Sequence, residues 1–403
     1  MLCSRKIYGT SRIRRMKNRL NGVFKIAAVV VTGALSTAAI GQSGSLRSEY
    51  PELAGLNNAF DVTQAEIFDA MAGINSDPAT EEARSELRME LDMMANMDMH
   101  EMMSRNAGQG GQMDMSTPMT GPYGESEIEA RVELYGLLQT DHSDTDAEQA
   151  FVNSEALTRH SARVLQHGRS FERAVWDIFA NSSMNIFQKR IAVDEAIEEY
   201  RTTDPRHAVS LTPKSAELYL AHPYANGLTS AFPRLSGLMW TNQWLQLASL
   251  EAIIIGQVDP QFAGSVPTTL ERYRSKLGSD TGMTMFPPPS EMPSAPAIAP
   301  QLYSQAPQAA IIIDNLNMLE AALADIIAYP DVDDRETVID EVAEWYISDE
   351  LYLVDTMDYL LNALRGGIFN QGGPAIGELG QSERNRSRSA MQMQHSMIMT
   401  APN

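Results

Sequence analysis

Residues 233–256 carry apolar side chains on almost every helical face, between Pro233 at one end and Gly256 at the other. Pro fits the first turn of a helix and Gly marks a stop, so the stretch reads as one helix. A helix that is apolar all round has no face to give to water and must be buried by other elements. Whatever this chain folds into therefore needs a shell around a central helix.

The rest of the sequence supplies such a shell. Asp77-Pro78 followed by Glu81 and Glu82 is a helix start, and the pattern carries on to about Arg105. Helices are also expected at 126–138 and across 144–180, as one helix or as two broken at Gly168. At 184–200, Ile186, Phe187, Ile191, Val193, Ile197 and Tyr200 keep near-helical spacing. Segments 308–328, 334–347 and 349–365 read as a three-helix unit, with stops at Pro330 and Gly366-Gly367. No run alternates as a strand would, so the expected fold class is all-α.

Breaks in composition divide the chain. Residues 1–41 read as a signal peptide, 42–124 as a helical segment with a Met-rich stretch and a Gly-rich loop, and 125–280 as the main helical domain. A Pro-rich linker is expected at 281–307, a small helical bundle at 308–366, and a disordered tail at 367–403.

The first 25 residues hold eight basic side chains and no acid, and an apolar run from Ile26 to Leu35 and small residues to Gly41 follow. That is the layout of a secretory signal, whether translation starts at Met1 or Met16. An uncleaved anchor is the competing reading, but the apolar run is too short to span. Losing eight of 31 basic residues against 52 acidic ones takes the formal charge from −21 to −29. Cys3, the one cysteine, leaves as well, so a cysteine-free protein of the bacterial periplasm is expected, with no thiol chemistry. So negative a chain excludes non-specific nucleic-acid binding and docking on anionic lipid, and no stable membrane insertion is expected after cleavage.

Two clusters of methionine carry the clearest chemical signal. Ten of the 24 methionines fall between residues 89 and 119. On a helix, Met89, Met93, Met97, His100 and Met103 share one side, with Leu87 and Leu91 on the other. In the tail, Met391, Met393, His395, Met397 and Met399 alternate, so an extended chain puts all five on one side. Thioether and imidazole are soft or borderline donors, and copper(I) is the cofactor this pattern suits. Two other readings compete: a pliable surface for a partner protein, and a sink for oxidants.

A second candidate is a pocket around the central helix, formed by His222, Tyr224 and Arg234 from nearby loops with Asn242, Gln243, Gln246 and Glu251 on the helix. Turn chemistry and a buried structural network are the plainer reading of the same residues. His160, Arg163 and His167 lie at i, i+3 and i+7 and read as ordinary histidines rather than ligands. No nucleophile elbow, P-loop, dinucleotide turn, His-Glu-x-x-His or calcium loop is present. The function expected is an exported, acidic, all-α binding or scaffold protein whose partner is another periplasmic or secreted protein. The alternatives are a periplasmic Cu(I)-handling protein and an enzyme using the 233–256 pocket.

Overall fold

A computed structural model describes residues 45–95, 121–278 and 292–367. Among them the fold is all-α, with no strand and a single isolated bridge between Lys214 and Leu353. The helices are α1 (Ser45–Glu49), α2 (Pro51–Ser76), α3 (Glu81–Ala95), α4 (Glu125–Leu138), α5 (Asp144–Asn153), α6 (Arg159–Ala180), α7 (Ile186–Thr203) and α8 (Glu217–Leu220). They continue as α9 (Gly227–Ala231), α10 (Pro233–Val258), α11 (Ser265–Gly278), α12 (Ala295–Ile298), α13 (Pro300–Gln305), α14 (Pro307–Ala328), α15 (Arg335–Ile347) and α16 (Thr356–Gly367). None of the described helices is long and apolar enough to cross a membrane.

The core is built on two central helices. In α10, every residue from Leu235 to Ile254 is buried except Gly237. Helices α2, α4, α6, α9, α11, α12 and α13 pack around it. In α14, every residue from Ala309 to Ala328 is buried except Met318, under α2, α6, α9, α13 and α15. The sequence points to α10 alone, because α14 carries Asp314, Asn315, Asn317, Glu320 and Asp325, which mimic a solvent face. All five are buried.

Local signals set many of the helix ends. Ser143 and Asp146 form a reciprocal capping box on α5, as Asn185 and Gln188 do on α7. Asp77 Oδ1 accepts from Ala79 N (2.8 Å), but it caps a short 3₁₀ turn at Pro78–Thr80, and α3 follows from Glu81. The break in 144–180 falls at 154–158 rather than at Gly168, where Ser154 closes α5 and Thr158 caps α6. Gly168 has another use. A Cβ there would lie 2.3 Å from Leu316 Cδ2, so the missing side chain is what lets α6 approach α14.

Three further expectations are revised. Within the expected helical segment 42–124 no particular helix is expected before Asp77, yet α2 fills Pro51–Ser76, with Pro51 at its start and Glu52 in its first turn as helix-start signals. The described part of the expected linker, 292–305, contains α12 and α13, with Ala295, Pro296, Ala297, Ile298 and Leu302 buried. Its prolines act as helix starters there, since Pro at the first turn forfeits no hydrogen bond. Residues 349–355 form no helix; Tyr352 takes a left-handed backbone (φ 53°) beside the Lys214–Leu353 bridge. Of the apolar residues spaced along α7, Val193, Ile197 and Tyr200 are buried, while Phe187 and Ile191 are exposed.

Candidate functional site

The N-terminal methionine stripe is described as far as Met93. Leu87 and Leu91 are 0% and 4% exposed, whereas Met89 and Met93 are 61% and 43% exposed. The helix thus buries its leucine side and turns the methionine side outward, as the helical spacing predicts. Met97, His100, Met103 and the tail cluster Met391, Met393, His395, Met397 and Met399 lie outside the described residues. Among the described residues, no group of three or more His, Cys, Asp or Glu side chains is placed to hold a metal.

The residues of the expected pocket separate into distinct hydrogen-bonded groups. Asn242 and Gln243 enter a buried polar network centred on Arg169. Arg169 Nη2 donates to Glu320 Oε1 (2.6 Å) and Asn317 Oδ1 (3.3 Å), and Nη1 donates to Glu172. Glu320 Oε2 accepts from Gln243 Nε2 (2.8 Å) and Gln64 Nε2 (3.2 Å). Asn242 links Gln64 (3.4 Å) to the hydroxyl of Tyr273 (2.9 Å), and Arg173 Nη1 reaches Asp61 Oδ2 (2.5 Å). The network ties α2, α6, α10, α11 and α14 together through oriented donors.

Its charges nearly balance: two guanidinium groups face Asp61, Glu172 and Glu320. Burial disfavours the charge of Arg169, but Glu320, Glu172 and Asp61 more than offset this, so its guanidinium stays firmly protonated. Burial pushes Asp61 up to about 6, against the pull of Arg173 and Arg169. Such a buried cluster is weak evidence for stability but fixes which residues must meet.

Glu251 and Arg234 belong to a different device, in which a carboxylate on one helix caps the start of another. Glu127 Oε1 of α4 accepts from Arg234 N (2.6 Å) and Leu235 N (3.1 Å) at the start of α10. Glu251 Oε2 of α10 accepts from Gln301 N (2.8 Å) and Leu302 N (3.3 Å) at the start of α13. Asp314 of α14 accepts from Ala295 N (2.9 Å) at α12, and Asp177 of α6 accepts from Leu46 N (3.0 Å) at α1. None of α9, α10, α12 and α13 has a side-chain cap from its own N-cap residue. Burial pushes Glu127, Glu251 and Asp314 each up to about 7, although the hydrogen bonds they accept pull the other way.

His222 serves the same device. Its Nδ1 accepts from Tyr224 N (3.3 Å), so its Nε2 carries the hydrogen donated to Asp325 Oδ2 (3.1 Å). Asp325 Oδ1 then accepts from Leu228 N (2.9 Å) in α9. Tyr224 packs edge-on against Tyr329. Gln246 is buried, and its Oε1 has no partner among the described residues. His167 donates to the carbonyl of Tyr200 (2.8 Å) and stacks on that ring, and burial lowers its proton affinity. His160 sits 3.1 Å from Glu344 and 5.2 Å, ring to ring, from His207.

One feature escaped the sequence. A cavity of about 50 Å³ lies between α8, α14, α16 and residues 292–294, lined by Lys214, Tyr219, Met292, Pro293, Ser294, Asp314, Met318, Tyr359, Asn362 and Ala363 among others. Its residues come from four separate stretches of chain with no shared motif. The single available signal was the scarcity of lysine: beyond residue 25 the chain has only Lys189, Lys214 and Lys276. Comparison with known proteins returns no matching family model, no matching curated protein and no matching solved structure.

Proposed function

We propose that this chain is a binding or scaffold protein of the periplasm whose methionine-rich arm is its recognition element. The observation that carries this reading is the division of α3. Leu87 and Leu91 fill the core, while Met89 and Met93 stand one turn apart on the exposed side. Methionine is a poor choice for a solvated face unless something binds there, and its flexible, polarisable side chain adapts to partner surfaces. The basic and then apolar N-terminus supports export, and the strong negative charge favours a basic partner.

A second reading is supported by the same face. Its register continues in sequence to Met97 and His100, a donor set suited to Cu(I) in an oxidising compartment. Anaerobic Cu(I) titration of the mature protein against a chromophoric chelator separates the two. Stoichiometric binding tighter than micromolar, lost when 89–119 and the tail from 381 are deleted, supports copper handling. A crosslinked periplasmic protein recovered equally with and without copper, and lost when Met89 and Met93 become Ser, supports the scaffold reading. If neither deletion nor substitution changes any interaction, both readings fall.

A further inference from the structure

The side chain of Lys214 is buried, and the partners of its ammonium among the described residues are backbone carbonyls rather than carboxylates. Its Nζ donates to two backbone carbonyls, those of Ser348 and Leu351, the latter at 2.8 Å. An ammonium has three N–H donors, so two carbonyls leave one donor over, and Asp349 acts on the charge without pairing directly with it. Burying such a charge is costly unless an anion meets it. Desolvation draws Lys214 down to about 8, with Asp349 opposing, so the ammonium still predominates at neutral pH.

The cavity wall that includes Lys214 has two characters. Asn362 and Ser294 are polar, whereas Met292, Pro293, Met318 and Ala363 are apolar. Asp314 is also in the wall, but its oxygens already accept from Ala295 N, Ser294 Oγ (3.1 Å) and Tyr359 OH (2.6 Å). We propose that this cavity is a binding site for a small monocarboxylate, with Lys214 as the cationic anchor and the Met292–Met318 wall holding a short alkyl tail. Size limits the class to the smallest carboxylates, since roughly 10–15 Å³ of such space holds one water and this cavity is about 50 Å³. Acetate and propionate are of the right order, and their single charge keeps repulsion from Asp314 smaller than a dianion would meet.

Lys189 is the internal control. Its Nζ also donates to two oxygens, those of Phe179 and Gln257, and burial also draws it down to about 8, but it does not line the cavity. The test is calorimetric titration and thermal melting of the full chain with sodium propionate, against sodium chloride and propanol at equal concentration. Propionate should bind and raise the melting temperature, with chloride and propanol without effect. Lys214→Met should abolish binding and Lys189→Met should not. Because Lys214→Met also removes the bonds to residues 348 and 351, Ala363→Leu serves as a second variant that fills the cavity and leaves Lys214 in place. Propionate binding that survives Ala363→Leu, or no binding by the wild type, overturns the proposal.

Discussion

Replacing Glu127 by Gln should make the protein relatively more stable as the pH rises, the reverse of what losing a charged helix cap usually does. Glu127 is buried, and Oε1 alone accepts the two N–H groups at the start of α10, while Oε2 has no partner among the described residues. Burial raises its folded-state value from 4.5 to about 7. The folded chain therefore holds a proton there that the unfolded chain has released between those pH values. Stability from this group is fully present below about 4.5 and declines as pH rises to 7. Each tenfold difference in proton affinity is worth about 1.4 kcal/mol, so the ionised Glu127 costs up to about 3 kcal/mol at pH 8 and under about 1 at pH 5. Gln copies the protonated carboxyl in shape and keeps the accepting oxygen. Its effect at pH 8 should be about 2 kcal/mol more favourable than at pH 5. Urea unfolding of both proteins at the two pH values, at fixed ionic strength, measures this double difference and cancels any constant cost of the amide. Equal effects at both pH values would refute the assignment of a buried, proton-holding cap.

Other substitutions test the packing and the exposed face. Gly168→Ala places a methyl against Leu316 and should cost about 1–3 kcal/mol in chemical denaturation, with part recovered in the double variant with Leu316→Val. Glu320→Leu strands Arg169, Gln243 and Gln64 together and should cost about 3–5 kcal/mol, enough to lower the melting temperature by roughly 4–8 °C if the whole chain unfolds as one unit. Met89→Ser with Met93→Ser should leave stability within about 0.5 kcal/mol of wild type, because both side chains face solvent. A larger loss would place them in the core instead.

What was legible in the sequence is what periodicity encodes. The all-α class, the burial of α10 and the outward methionine side of α3 follow from spacings within one helix. What was not legible depends on residues far apart in sequence. Asp314, Asn317, Glu320 and Asp325 make α14 look solvated when read alone. Only the positions of Arg169, Ala295 and Leu228 show that these groups have partners inside. The hydrogen-bond partners of the candidate-pocket residues are illegible for the same reason. Polar residues near one helix suggest a common space, whereas His222, Arg234 and Glu251 each lie in a cap at a different helix start. Prolines 296, 300 and 307 look like linker by composition, although each stands in the first turn of a helix.

These long-range caps explain how short helices persist here. A helix of four to six residues is far below the length at which an isolated helix holds in water, and α9, α12 and α13 are of that size. None is capped by its own N-cap side chain, so each depends on an acid carried by α10 or α14. Both central helices are buried, so the acids they carry are held in place by the packing around them. The arrangement also makes distant segments interdependent. Glu251 on α10 holds α13, and Asp314 on α14 holds α12 while accepting from Tyr359 on α16. Residues 292–305 are therefore clamped between the two central helices by hydrogen bonds from both, and opening either clamp leaves a buried carboxylate without its donors. That penalty acts together with the helix-starting prolines and the burial of Ala295, Ile298 and Leu302 to make residues 292–305 part of the core.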